Sequence, residues 1–133
     1  MTTSAFRTAS AASAWALAPR STGWAVAEVS ATAQRLDVPY EGVLKAVQGG
    51  PLASGTALAR LAKMETSDHS PQFPLEWALK DLDLTAAAAG PSAAPVAGAI
   101  ADRWRGLVGQ GLGRLDVSAA RFGLNADSPQ ARR

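Results

Sequence analysis

Glycine and proline cut this chain into helix-length pieces, and no alternating run of strand length survives between the cuts. Asp37-Val38-Pro39, Gly49-Gly50-Pro51, Gly90-Pro91 and the glycines of GQGLG (109–113) are the strongest breaks. Proline removes a backbone donor and glycine frees φ, so such clusters end regular structure. Between them the apolar residues recur at helical spacing. A first helix is expected from Trp24 to Leu36, where Ala25, Val29, Thr32 and Leu36 lie near a helical repeat. YEGVLKAV makes a second, and a third runs from about Thr56 to Met64 with Leu58, Leu61 and Ala62 inward. After the turn-rich ETSDHSPQ, a fourth opens at Pro74, whose missing N–H has no partner to lose at a first helical position. It reaches about Ala89; a fifth spans Ala93 to Val108, and Asp116 or Ser118 caps a short last one. The expected class is all-α.

An all-helical chain excludes the strand–turn–helix unit that a nucleotide-binding α/β domain needs, so GQGLG reads as a helix stop and not as a phosphate loop. Hydrophobic residues make up 47% of the chain, but many are alanine, which leaves Leu, Val, Trp, Phe and one Ile to carry most of the burial. With a net charge of +2 and no basic block beyond Arg132-Arg133, nucleic acid is not an expected partner. No run is apolar enough to span a membrane, and ASAWALAP is too poor in large residues to read as a cleaved leader. The lack of cysteine removes disulfides and thiolate chemistry and points to a reducing, cytoplasmic compartment. His69 stands in a turn without a second metal ligand and is expected at the surface. The serines near the N-terminus lack a base, and Trp15, Trp24 and Trp104 read as packing residues. Arg103, Arg105 and Arg114 read as a solvated helix edge.

The helix in HSPQFPLEWALKDLDL (69–84) is less ordinary. At about 100° per residue, with Phe73 at zero, Trp77, Leu84, Lys80 and Asp81 all fall within roughly 80° of it. Leu75, Leu79, Leu82 and Ala86 fall on the opposite side and form a core face. The helix therefore has two apolar sides, and the second one carries a lysine and an aspartate. Geometry leaves two readings open. Glu76 and Lys80 form an i,i+4 surface pair of the favourable orientation, or the second side lines a cleft in which Lys80 offers its three donors to ligand oxygens.

The succession GGPLASG, LAKM, DHSPQFPLEWALKDLDLTAAAA and GQGLGRLDVSA resembles the C-terminal helical domain of the β-hydroxyacid dehydrogenases. The 3-hydroxyisobutyrate dehydrogenase branch is nearest in pattern, within the wider group that includes 6-phosphogluconate dehydrogenase-like proteins. The resemblance covers about residues 24–122, with residues 1–23 expected to fall outside it and 123–133 to form a tail. It implies a helical bundle that pairs with a Rossmann domain holding NAD or NADP, in an enzyme transferring hydride to or from a short hydroxy acid. It implies that Lys80 contacts the cofactor across the cleft and that Phe73 and Asp81 line the active site. It also implies an oligomer.

The departures are equally specific. The family's general acid/base is a lysine four residues before an asparagine, on a helix that should fall near residues 5–20. Arg7 is followed at that spacing by Ala11, and arginine is a poor proton shuttle. Pro19 and Gly23 should disturb the expected helix. No catalytic residue and no metal ligand is therefore assigned. The expected function is the substrate-side, oligomer-forming domain of an NAD(P)-dependent 3-hydroxyacid oxidoreductase, as part of a longer protein and inactive alone. The alternative is a non-catalytic helical interaction module, or the remnant of such a gene.

Overall fold

The computed structural model describes residues 3–51, 53–90 and 92–124. Among them are five α-helices, α1 (Thr3–Arg35), α2 (Tyr40–Val47), α3 (Gly55–Thr66), α4 (Leu75–Ala89) and α5 (Pro95–Leu107). A wide π turn over Val108–Leu112 and a 3-10 helix over Val117–Leu124 complete the fold. No strand occurs among the described residues, and one isolated bridge joins Pro74 to Asp116. The expected all-α class and the limits of α2 to α5 agree with this within a residue or two, and Gly111, at φ 91°, breaks the helix within GQGLG. Of the expected tail, Gly123 and Leu124 close the 3-10 helix, and residues 125–133 lie outside the described residues.

The first helix departs most from expectation. It begins at Thr3 rather than Trp24 and continues through Pro19 and Gly23. An internal proline costs a helix roughly 3 kcal/mol, and only tertiary burial offsets a penalty of that size. Trp24, Ala27 and Ala31 supply it, buried along one face of α1. Ala25, Val29, Thr32 and Leu36, the residues of the apparent repeat, turn out on the exposed side. In α3 the buried stripe is Ala57, Leu61 and Met64, while Ala62 is exposed and Leu58 half-buried.

The core lies between α4, α5 and the middle of α1. Leu75, Leu79 and Leu82 meet Ile100, Trp104 and Leu107, with Trp24, Val117 and Ala120 closing the cluster. Alanine does more than dilute it. Ala27, Ala78, Ala119 and Ala120 have no exposed surface and lie at positions where a larger side chain would hold elements apart. Among the described residues Trp104 is the largest fully enclosed side chain, and its indole N–H has no acceptor there.

The start of α4 is fixed from outside the helix. Pro74 is its N-cap and offers no side-chain acceptor. Instead Leu75 N donates to Leu115 O at 2.8 Å and Glu76 N to Gly113 O at 2.9 Å. Gly113 eases that approach: a Cβ there would stand 3.2 Å from Glu76 Cβ and 3.3 Å from Val108 Cγ1, while the Glu76 carboxylate, 2.8 Å away, is free to swing aside. Next to it the fully buried Asp116 carboxylate accepts from Gln72 N and Phe73 N at 3.0 Å, from Ser118 N at 2.9 Å, and from Arg60 Nη1 at 3.1 Å. Burial pushes its pKa up. The hydrogen bonds from Phe73, Ser118 and Gln72 outweigh that, so the group titrates below its ordinary 3.8.

His69 corrects a second expectation. It is buried, with Nδ1 2.8 Å from Ser118 Oγ and its ring edge-on to Phe122 at 4.9 Å between centroids. The turn that carries it is folded inward because Asp116 N donates to its carbonyl. Burial lowers its pKa below 6.5; the nearby Asp116 and Asp68 oppose this, and Lys63 adds to it.

Two consequences are measurable. Trp104→Ala should cost about 3–5 kcal/mol in chemical denaturation, and Trp104→Phe clearly less, because phenylalanine fills most of the space and brings no unpaired donor. His69 binds its proton more readily in the unfolded chain, so its contribution to stability is complete above pH 6.5 and is lost as pH falls through its lowered folded value. Denaturation midpoints should therefore fall as the pH is taken below 6.5, and His69→Gln should flatten that slope.

Candidate functional site

The three residues that the sequence singles out do share one side of α4. Phe73, just ahead of the helix, is half-buried, and Trp77, one turn on, meets it edge-to-face at 6.1 Å between centroids. Asp81 follows, with 38% of its side chain exposed, and Lys80 projects beside it into solvent. Lys80 makes no hydrogen bond or ion pair among the described residues, so the i,i+4 pair with Glu76, one of the two readings left open, does not form. Glu76 packs instead against Gly113. Trp77 and Leu84 are 57% and 59% exposed, which leaves the outer part of the second apolar side open to solvent, while Phe73 packs toward the core.

The sequence does not reveal the residue that ties this side together. Arg20 of α1 donates from Nη2 to Asp81 Oδ2 at 2.9 Å, and its guanidinium carbon lies 4.0 Å from the centre of the Phe73 ring. Only 19% of its side chain is exposed. A signal for it exists in retrospect. Arg20, Trp24, Ala27 and Ala31 recur at helical spacing, so extending the first helix backward puts Arg20 on its buried face. Phe73 is in turn held from behind, its N–H on Asp116 and its carbonyl accepting from Val117 N at 2.9 Å. Two anchors, one from α1 and one from the 113–118 loop, thus set the residues at the head of α4.

Other features stand apart. A polar hollow of about 390 Å³ between α1, α2, α3 and the 3-10 helix is lined by Ser30, Gln34, Tyr40, His69 and Arg121, and by none of Phe73, Lys80 or Asp81. Arg121 donates there from Nε to Ser30 Oγ at 3.1 Å and from Nη2 to Gln34 Oε1. Arg105 makes a two-pronged pair with Asp83 at 3.0 and 3.1 Å, which ties α5 to α4. Among the described residues no group of three His, Asp or Glu side chains could hold a metal ion, and no helix is long and apolar enough to cross a membrane. The side chains of Arg7 and Ala11, where the general acid/base was sought, lie outside the described ones.

Comparison with known proteins gives the fold and the family of the chain. No curated protein sequence matches the chain. In three dimensions it is similar to a 3-hydroxyisobutyrate dehydrogenase from Salmonella typhimurium, at a TM-score of 0.74 and 22% identity. The similarity covers 84% of this chain and 40% of that one, so the chain spans less than half the length of the solved dehydrogenase. Residues 8–121 match the family described as the NAD-binding domain of NADP-dependent 3-hydroxyisobutyrate dehydrogenase. The matched stretch begins well inside the segment expected to fall outside the resemblance, where α1 runs unbroken. By that match over most of its length, the chain belongs to the helical NAD-binding domain family of the 3-hydroxyisobutyrate dehydrogenases.

Proposed function

We propose that this chain supplies the substrate-side wall of an NAD(P)-dependent 3-hydroxyacid oxidoreductase and acts together with a Rossmann domain. The observation that carries the reading is the exposed edge of α4, where Trp77 and Lys80 stand open beside the half-buried Phe73 and Asp81 although the opposite side already supplies the core. An apolar face of that size, with charges set into it, is expected to meet something. The residues present fit one side of a dinucleotide site. Lys80 brings three unengaged donors suited to phosphate or ribose oxygens, and Phe73 with Trp77 offers flat apolar surface. The cofactor, when bound by the partner domain, supplies the hydride chemistry. On this chain Phe73 and Asp81 shape the substrate's place, Lys80 holds the cofactor, and no side chain is assigned a proton transfer. NAD or NADP is bound only with the complementing domain, the substrate is a short hydroxy acid, and the compartment is the cytoplasm.

The oligomer that the family implies has its own surface. Val29, Leu36, Val38, Val43 and Val47 line a shallow apolar groove between α1 and α2, with Leu36 68% exposed. A second copy of the chain is the occupant proposed for this groove, since like surfaces meet about a two-fold axis and would bury the exposed Val29 and Leu36 of each copy.

Both parts are testable. NADH titrated into the isolated chain should show little binding. A separately expressed Rossmann domain of a 3-hydroxyisobutyrate dehydrogenase should bind it about tenfold more tightly when this chain is added, and Lys80→Ala should remove that gain. Tight stoichiometric binding by the chain alone, or no gain on mixing, would overturn the reading. Leu36→Glu should shift the chain to monomer in analytical ultracentrifugation, keep its helical circular dichroism, and remove any dependence of its melting temperature on protein concentration.

A further inference from the structure

Arg20 is held in a geometry that its role as a strut does not account for. Its guanidinium lies over the Phe73 ring, with the central carbon 4.0 Å from the ring centre, and only 19% of the side chain is exposed. The aromatic face fixes the plane of the fork and so leaves little orientational entropy to lose when a partner arrives. In any guanidinium, Nε–H and one Nη2–H point the same way along a single edge, spaced to meet the two oxygens of one carboxylate. Here that edge is half used. Nη2 donates to Asp81 Oδ2 at 2.9 Å, while Nε is buried and has no hydrogen-bond partner among the described residues. A buried donor left unpaired disfavours the state that contains it, and Asp81, tethered to α4, meets one of the two.

We propose that the Nε–Nη2 edge of Arg20 is the receptor for the carboxylate of a short organic acid, and that Asp81 stands in for that carboxylate in the ligand-free chain. This deepens the functional reading above and rests on it, since it needs the Phe73 side of α4 to face the ligand. A free carboxylate satisfies both donors at once, which Asp81 does not. Asp81 has somewhere to go, because 38% of its side chain is exposed and Lys80 is its chain neighbour. The surroundings favour an organic acid over an inorganic anion. The Phe73 ring, in edge-to-face contact with Trp77, provides apolar surface next to the fork on which a short carbon chain can rest. Lysine in place of Arg20 would keep the charge and lose the edge.

The test uses the isotope-labelled full chain, with the guanidinium N–H resonances followed by proton–nitrogen correlation spectroscopy at constant ionic strength. Acetate, and then 3-hydroxyisobutyrate, should shift the Arg20 Nε–H signal saturably, with the hydroxy acid at least as tight, while chloride, a single-atom anion that cannot pair both donors with separate oxygens, should not. Arg20→Lys should abolish saturable binding. Asp81→Asn should tighten it about fivefold, the factor by which a partly exposed ion pair competes. An Asp81→Asn chain that keeps the wild-type amide spectrum but binds acetate no better, or less well, overturns the proposal. So does a chloride response equal to that of acetate. The two readings fail separately. A gain in NADH affinity on mixing, without any Arg20 response to carboxylate, sinks this inference alone. A carboxylate response without the NADH gain sinks the cofactor reading and leaves this site standing.

Discussion

One buried carboxylate organises the head of α4. Asp116 has no exposed surface and receives donors from Gln72, Phe73, Ser118 and Arg60, which belong to three separate stretches of chain. A charge removed from water is tolerable only when it is paired and its lone pairs are filled, and that condition selects one arrangement of the three stretches. The effect spreads through the backbone. Asp116 N donates to His69 O, Val117 N to Phe73 O, and Leu75 and Glu76 donate to the carbonyls of Leu115 and Gly113. The first turn of α4, which has no capping side chain of its own, is thereby capped by the loop that Asp116 anchors. The direction of α4, and with it the side on which Lys80 and Asp81 emerge, follows from this loop.

How much of this could be read from the sequence depends on where each signal resides. Helices α2 to α5 are bounded by local chemistry, by glycine and proline at their ends and leucines at helical spacing within, so their limits are legible. The two-sided nature of α4 is legible for the same reason, because a helical projection needs only the residues of the helix itself. Asp116 was recognisable as a cap for the short helix after it, through its bond from Ser118 N. Its larger role was not, since Gln72, Phe73 and Arg60 lie more than forty residues away.

The failures have the same form. Pro19 and Gly23 are strong local evidence against a helix, and what overrides them is burial of Trp24, Ala27 and Ala31 against elements formed much later in the chain. Starting the first helix at Trp24 then hid Arg20, which reads as a stray charge in an Ala/Ser-rich leader until the helix is extended through it. His69 misleads for a related reason. Its neighbours are turn formers, and a turn is ordinarily exposed, but this turn is stitched to the 116–118 segment and carries the imidazole inward onto Ser118 and Phe122.

The two anchors at the head of α4 differ in kind, and the difference bears on what each can do. Asp116 is fully enclosed and holds several donors at once, so moving it would strand all of them; it behaves as fixed framework. The Arg20–Asp81 pair is partly open to solvent, uses one hydrogen bond, and leaves a donor of the same fork unfilled. An exposed ion pair of that sort is held by on the order of 1 kcal/mol or less, little enough for a competing carboxylate to displace. Phe73 belongs to both, with its backbone on Asp116 and its ring under Arg20. A framework that fixes Phe73 from behind lets the pair in front of it exchange partners without disturbing the helix. That separation of rigid from exchangeable contacts is what a ligand-facing wall requires.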